Sequence, residues 1–242
     1  MGAIVLVGGG DHENGETLAI DKKIIELSGK ENPKLLYIST ASDSEPQYSE
    51  QMTSYFTSLG TKTEKLSLIL DNYSAEEIRN KILSSDIIYV GGGDTIRLVY
   101  FWKALGVDKY LAEAYEKGIV LSGVSAGSQC WCNFGHTDSL SYYIRDWDFT
   151  RFPCLGFVPA VVSPHFSEKR RQSLTKWLEN GETETCVALE NGTALIYADN
   201  KASIVRGIPE ANAHIYYPLG GGKYKEIIPR DGEFFSLDKN LL

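Results

Sequence analysis

The stretch Ile119-Val120-Leu121-Ser122-Gly123-Val124-Ser125-Ala126-Gly127-Ser128-Gln129-Cys130-Trp131 decides the fold class. Residues 119–122 are apolar enough for a buried strand, and the residues from Ser128 onward can start a helix. Between them lies Gly-x-Ser-x-Gly. A strand that turns this sharply into a helix strains the backbone of its apex residue. The flanking residues must then be small, so that the chain can fold back on itself. A serine at the apex sits at the helix N-terminus, where free backbone N–H groups and the helix dipole favour negative charge. Ser125 is therefore expected as a nucleophile, with the Ala126 N–H as an oxyanion donor. An ordinary glycine turn with a serine cap would show the same pattern, so the chemistry needs partners elsewhere.

Working outward, further strand candidates lie at 3–7, 34–38, 62–66 and 87–90. Several are continuous rather than alternating, as suits strands buried on both faces. Helical patterns fall between or after them, at 21–27, 45–59, 74–83, 95–105 and 109–117. Ser74-Ala75-Glu76-Glu77 is a capping box, which marks one helix start. Strands that alternate with helices predict an α/β fold, a mostly parallel sheet with helices on both faces. Beyond residue 135 the pattern loosens. Residues 135–152 read as a loop region, 157–162 as a strand and 170–179 as a helix. Short strands are expected at 186–189, 193–197, 202–205, 213–217 and 225–228, making a β-rich C-terminal part. No linker, repeat or low-complexity stretch divides residues 1–242, so a single domain is expected.

The chain has 242 residues, a net charge of −8 and 23% charged residues. A nucleic-acid partner wants clustered positive charge and is not expected. No run approaches the ~20 apolar residues of a membrane span, and no signal-peptide pattern opens the chain, so a cytoplasmic protein without a membrane partner is expected. Cys130, Cys132, Cys154 and Cys186 form no metal-binding spacing and read as buried thiols.

A serine nucleophile needs a base, and four histidines are available. His165, in Val161-Val162-Ser163-Pro164-His165-Phe166, directly follows an apolar strand, and strand ends are where open α/β sheets bind ligands. His12, His136 and His214 lack that placement. Two carboxylates compete to orient the imidazole: Glu190, at the end of the next apolar run, and Asp138, in the polar loop. The order Ser125, His165, Glu190 is not that of an α/β-hydrolase. Gly91-Gly92-Gly93-Asp94-Thr95 follows the run at 87–90. The N–H groups of Gly91 and Gly92 are expected to complete the oxyanion hole or to hold a substrate carboxylate. Gly8-Gly9-Gly10 reads as a plain turn between a strand and a helix.

Taken together, four motifs resemble peptidase E, the aspartyl dipeptidase family of serine peptidases that also includes the cyanophycinases. They are the glycine turn at 91–95, the serine turn at 123–127, Ser163-Pro164-His165-Phe166 and Leu189-Glu190-Asn191-Gly192. The family's glycine turn usually has Asn where Asp94 stands. The resemblance implies a fold like that of class I glutamine amidotransferases and a peptidase acting on dipeptides or other small peptides. It implies Ser125 as nucleophile, His165 as base and Glu190 as orienting acid, with Asp138 the nearest match to a further important Asp. It also implies an Arg after the histidine motif that reads a substrate carboxylate, for which Arg170 and Arg171 are the candidates. The segment after His165 is shorter than in the family, so a requirement for N-terminal aspartate is not carried over. An esterase or amidase of the same fold, or an inactive binding module, are the alternatives. No cofactor or metal is required for this chemistry. A homodimer is the assembly to test, since the sequence does not set the oligomeric state.

Overall fold

The computed structural model describes residues 1–42 and 46–241. The first half alternates strand and helix: β1 (Ile4–Val7), α1 (Leu18–Leu27), β2 (Lys34–Ile38), α2 (Pro46–Ser58), β3 (Lys62–Leu66), α3 (Ala75–Leu83) and β4 (Ile87–Val90). It continues with α4 (Thr95–Leu105), α5 (Val107–Glu116), β5 (Val120–Val124) and α6 (Ala126–Gln129). The second half holds β6 (Cys132–Thr137), β7 (Thr150–Pro153), β8 (Val158–Ser163), α7 (Glu168–Glu179), β9 (Cys186–Leu189), β10 (Thr193–Ala198), β11 (Lys201–Arg206), β12 (Ala213–Gly220) and β13 (Lys223–Ile227). The result is a mixed α/β fold.

Continuous apolar runs become central strands because both faces are covered. β1, β4 and most of β5 are buried end to end. β3 alternates exposed Lys62 and Glu64 with half-buried Thr63 and Lys65, which suits the edge it occupies. The capping box forms as expected: the Ser74 hydroxyl accepts from the Glu77 N–H at 3.2 Å, and the Glu77 carboxylate accepts from the Ser74 N–H at 2.7 Å.

The strands build two sheets. The first has the order β11-β10-β1-β5-β4-β2-β3. Its pairs from β1 to β3 are parallel, and β10 and β11 add an antiparallel edge. The second has the order β13-β12-β9-β8-β6-β7, with β9, β8 and β6 parallel. Helices α1 and α2 cover one face of the first sheet through Ile20, Ile24, Met52 and Phe56. The other face shares a core with α3, α4, α5 and the second sheet, joining Leu6, Val90 and Leu121 to Val162, Leu189 and Ile215. Helix α7 packs on the far side of the second sheet through Leu174 and Leu178.

Three expectations are corrected. A single parallel sheet with a β-rich tail was expected, but the late strands divide between two sheets. β10 and β11 extend the first, while β12 and β13 extend the second. The region 135–152 is not all loop, because β6 runs into it and β7 starts in it. β6 carries Asn133, His136 and Thr137, so its polar residues hid the strand, although its final residues are buried. The helix after Ser125 is a single turn, because the chain enters β6 within a few residues.

Candidate active site

The C-terminal ends of three neighbouring parallel strands, β1, β5 and β4, all lead into turns rich in glycine or built around serine. The second sheet delivers the ends of β8 and β9 to the same place. The His165 N–H donates to the Gly8 carbonyl at 2.7 Å, and the Gly192 N–H to the Gly9 carbonyl at 2.8 Å. Strand ends of both sheets thus meet around one pocket of about 350 Å³, within the usual size range for small-ligand sites.

Ser125 forms the apex of the turn from β5 into α6, at φ 58° and ψ −116°. Few non-glycine residues hold a positive φ, and such strain persists only where the surroundings enforce it. Gly123 and Gly127 provide the enforcement. A Cβ on Gly123 would lie 2.5 Å from the Gly127 carbonyl oxygen, and one on Gly127 would collide with the Val90 carbonyl. Gly92 closes the side: its Cβ would stand 3.2 Å from Ser125 Cβ and 3.7 Å from Ser125 Oγ. Among the described residues, the N–H groups of Gly92 and Ala126 face no protein acceptor. The Gly91 N–H donates to the Ile38 carbonyl at 3.0 Å, as part of the sheet ladder. Gly91 is therefore corrected: its donor is spent, and a Cβ there would strike the Tyr37 hydroxyl rather than enter the pocket.

His165 lines the same pocket as Ser125. It too has a positive φ, 48°. Its Nδ1 pairs with Asn191 Oδ1 at 2.7 Å. Gly9, at φ 143°, lets the two groups meet, because a Cβ there would overlap both the imidazole and the Asn191 amide. The first glycine turn is thus more than the plain turn expected. No hydrogen bond joins His165 to Ser125 among the described residues; catalytic hydrogen bonds are often long in unliganded enzymes and tighten with substrate. Burial pushes the His165 pKa below the ordinary histidine value, and the bond to Asn191 opposes that shift. Nearby Arg170 lowers it further, while Asp138 raises it.

The two expected carboxylates do not reach the imidazole. Glu190 accepts from the Asn212 N–H at 2.8 Å and lies 3.3 Å from His214 Nε2. Successive residues at a strand end project to opposite sides, so Asn191 faces His165 and Glu190 faces away. Asp138 pairs with Arg170 at 2.7 Å. Arg170 also donates to the His136 carbonyl at 3.0 Å and stacks on Phe149. It is buried and outside the pocket wall, which corrects its expected role as a substrate reader. Arg171 binds the Tyr216 hydroxyl at 2.7 Å and Glu226 at 3.3 Å.

Sequence reasoning missed Asn191, Gly9, Ser42, Tyr48, Arg97 and Tyr142. Asn191 and Gly192 read only as a turn, and Arg97 only as one residue of a helix. Arg97 follows Asp94, whose carboxylate caps α4 by accepting from the Ile96 and Arg97 N–H groups and takes the Tyr143 hydroxyl. Among the described residues, no group of three His, Cys, Asp or Glu could hold a metal ion. Among the same residues no helix is long and apolar enough to cross a membrane.

The model of peptidase family S51 matches residues 4–205. An uncharacterized peptidase, YgaJ of Bacillus subtilis, is 30% identical over 200 residues, covering 82% of this chain and 84% of the relative. Peptidase E of a Nostoc species is 24% identical, covering 79% of this chain and 77% of its own. The crystal structure of a peptidase from an acI-B1 actinobacterium superposes with a TM-score of 0.72 at 21% identity, covering 98% of this chain and 97% of that one. At that identity the superposition speaks for the fold alone, while the family match spans most of the sequence. The chain belongs to peptidase family S51.

Proposed function

We propose that this peptidase cleaves dipeptides or other small peptides through an acyl-enzyme at Ser125, with His165 as its base. One observation carries the reading: Ser125 and His165, both at positive φ, line a single pocket beside Gly92. Paired backbone strain at facing side chains is costly and needs a reason. Asn191 accepts from Nδ1–H of His165, which leaves Nε2 unprotonated and able to take the Ser125 proton. Ser125 Oγ then attacks the scissile carbonyl, and the N–H groups of Ala126 and Gly92 hold the oxyanion. His165 returns the proton to the leaving amine. It next takes a proton from the water that hydrolyses the ester, and Ser125 is restored. The triad is thus Ser125, His165 and Asn191, with a neutral amide in the orienting role.

The parallel half, with its serine turn on the central strand β5, supports the class I glutamine amidotransferase-like reading of the fold. The core shared by both sheets supports a single domain over residues 1–242. The four cysteines are free and buried, which fits a reducing cytoplasm, and the net charge of −8 fits a small-peptide partner rather than nucleic acid.

The test is a panel of dipeptides and simple esters given to the wild type and to Ser125→Ala. Dipeptide hydrolysis should fall by ~10³-fold or more in the variant with its melting temperature kept, and a fluorophosphonate should label only the wild type. Unchanged turnover in Ser125→Ala, or ester cleavage with no dipeptide cleavage, would overturn the reading.

A further inference from the structure

The pocket wall contains two polar groups whose hydrogen bonding is incomplete. Arg97 donates one guanidinium N–H to the Ala41 carbonyl. Its Nε is buried with no acceptor among the described residues, and so is the hydroxyl of Ser42, the residue after Ala41. Buried donors are nearly always paired, so two unpaired ones in one pocket call for an acceptor that the described residues do not supply.

Among the described residues nothing neutralises Arg97. Asp94, one turn earlier, has its carboxylate committed to the Ile96 and Arg97 N–H groups and the Tyr143 hydroxyl. No carboxylate pairs with the Arg97 guanidinium among the described residues. Arg170, the expected reader of an anion, is spent on Asp138 and the His136 carbonyl. Burial disfavours the charged form of His165. Among the described residues of the wall, Arg97 is therefore the one side chain with a permanent positive charge.

We propose that Arg97 sets the specificity of this pocket: its guanidinium, helped by the Ser42 hydroxyl, takes a carboxylate of a short peptide substrate. The planar fork of arginine matches the two oxygens of a carboxylate, and Nε is one of the donors such a pair uses. The inference rests on the peptidase reading above for the identity of the ligand, not for the presence of the anion site. The carboxylate can be the free C-terminus or an acidic side chain, and the experiment separates the two.

Ser125→Ala protein is titrated by calorimetry with three dipeptides: Ala-Leu acid, Ala-Leu amide and Asp-Leu amide. The first carries only a terminal carboxylate, the third only a side-chain one, and the second carries neither. At least one carboxylate ligand should bind about tenfold to a hundredfold more tightly than Ala-Leu amide. The favoured ligand identifies the source of the carboxylate. Arg97→Gln in the same background should erase the advantage. Arg97→Lys, which keeps the charge but loses the fork, should retain part of it, whereas a collapsed pocket would retain none. Equal affinity for all three ligands, undetectable binding included, overturns the proposal, as does an advantage that survives Arg97→Gln. Because binding is read without turnover, a carboxylate preference that Arg97→Gln erases in a protein that cleaves no peptide would sink the peptidase mechanism and leave the anion site standing.

Discussion

His165 and His214 lie on either side of the turn that follows β9, and their surroundings differ in kind. His214 is buried with both ring nitrogens engaged. Its Nδ1 is 2.8 Å from Glu226 and its Nε2 3.3 Å from Glu190, with Arg171 at 3.5 Å and the rings of Phe166 and Tyr216 alongside. His165 has one neutral partner, Asn191, a strained backbone and an open pocket in front. On the proposed mechanism, the histidine with the carboxylates is the structural one. A base needs an unoccupied nitrogen facing a ligand more than it needs acidic neighbours. Saturation of its hydrogen bonds disqualifies His214.

The largest effect that could break this contrast is the loss of either ring. His165→Ala should lower peptide turnover by ~10³-fold or more with little change in melting temperature. His214→Ala should do the reverse: it leaves Glu190 and Glu226 without their partner, costing about 1–3 kcal/mol of stability while sparing turnover. Equal kinetic losses from the two would end the distinction.

A third histidine extends the comparison. His136 is buried on β6, with its ring nitrogens 2.8 Å from the Ser163 hydroxyl and 3.0 Å from the Ser173 hydroxyl. Burial, helped by Arg170, depresses its pKa from 6.5 to about 3. Between those values the unfolded chain binds a proton that the folded chain refuses, so stability rises with pH across that window and is lost on acidification. The loss from this group by pH 4.5 is about 3 kcal/mol. Urea unfolding at pH 7 and pH 4.5 measures it, and NMR should show the His136 ring still neutral at pH 5.

Smaller still is the contrast between Asn191 and Glu190. Asn191→Ala frees the imidazole to rotate and should reduce kcat by about tenfold to a hundredfold, in line with the loss of a second-layer orienting group. Glu190→Gln keeps an oxygen for the Asn212 N–H and should change kcat by less than about threefold, since the loss is one half-exposed contact. A larger kinetic loss for Glu190→Gln than for Asn191→Ala would return the carboxylate to the triad.

The subtlest effect is in the pH profile. His165 must be neutral to act as a base, and burial holds its pKa below 6.5. The acid limb of kcat/KM should accordingly fall below pH 6.5. The Asn191 bond raises that pKa, so Asn191→Ala should move the limb to lower pH still. A limb above 6.5 in the wild type would show that the imidazole meets a negative charge in the working enzyme.

Much of this was legible in advance because it depends on local chain chemistry. Continuous apolar runs, the capping box at Ser74 and the serine turn each follow from spacing over a few residues, and all three appear in the structure. What escaped was β6, whose polar residues are buried by neighbours from distant parts of the chain. The partner of His165 escaped for a related reason. Glu190 and Asn191 are adjacent, and only the direction in which β9 ends decides which of them faces the imidazole.

By itself the sequence determined the class of fold, the position of Ser125 and the strand end that carries His165. Those depend on hydrophobic period and on glycine, which act within one element. Tertiary structure alone decided that two sheets, not one, converge on the site, that Gly9 makes room for the His165–Asn191 pair, and that Arg170 is buried while Arg97 lines the pocket. Two arginines look alike in sequence, and only packing determines which one is paired to a carboxylate and which, among the described residues, keeps an unpaired Nε.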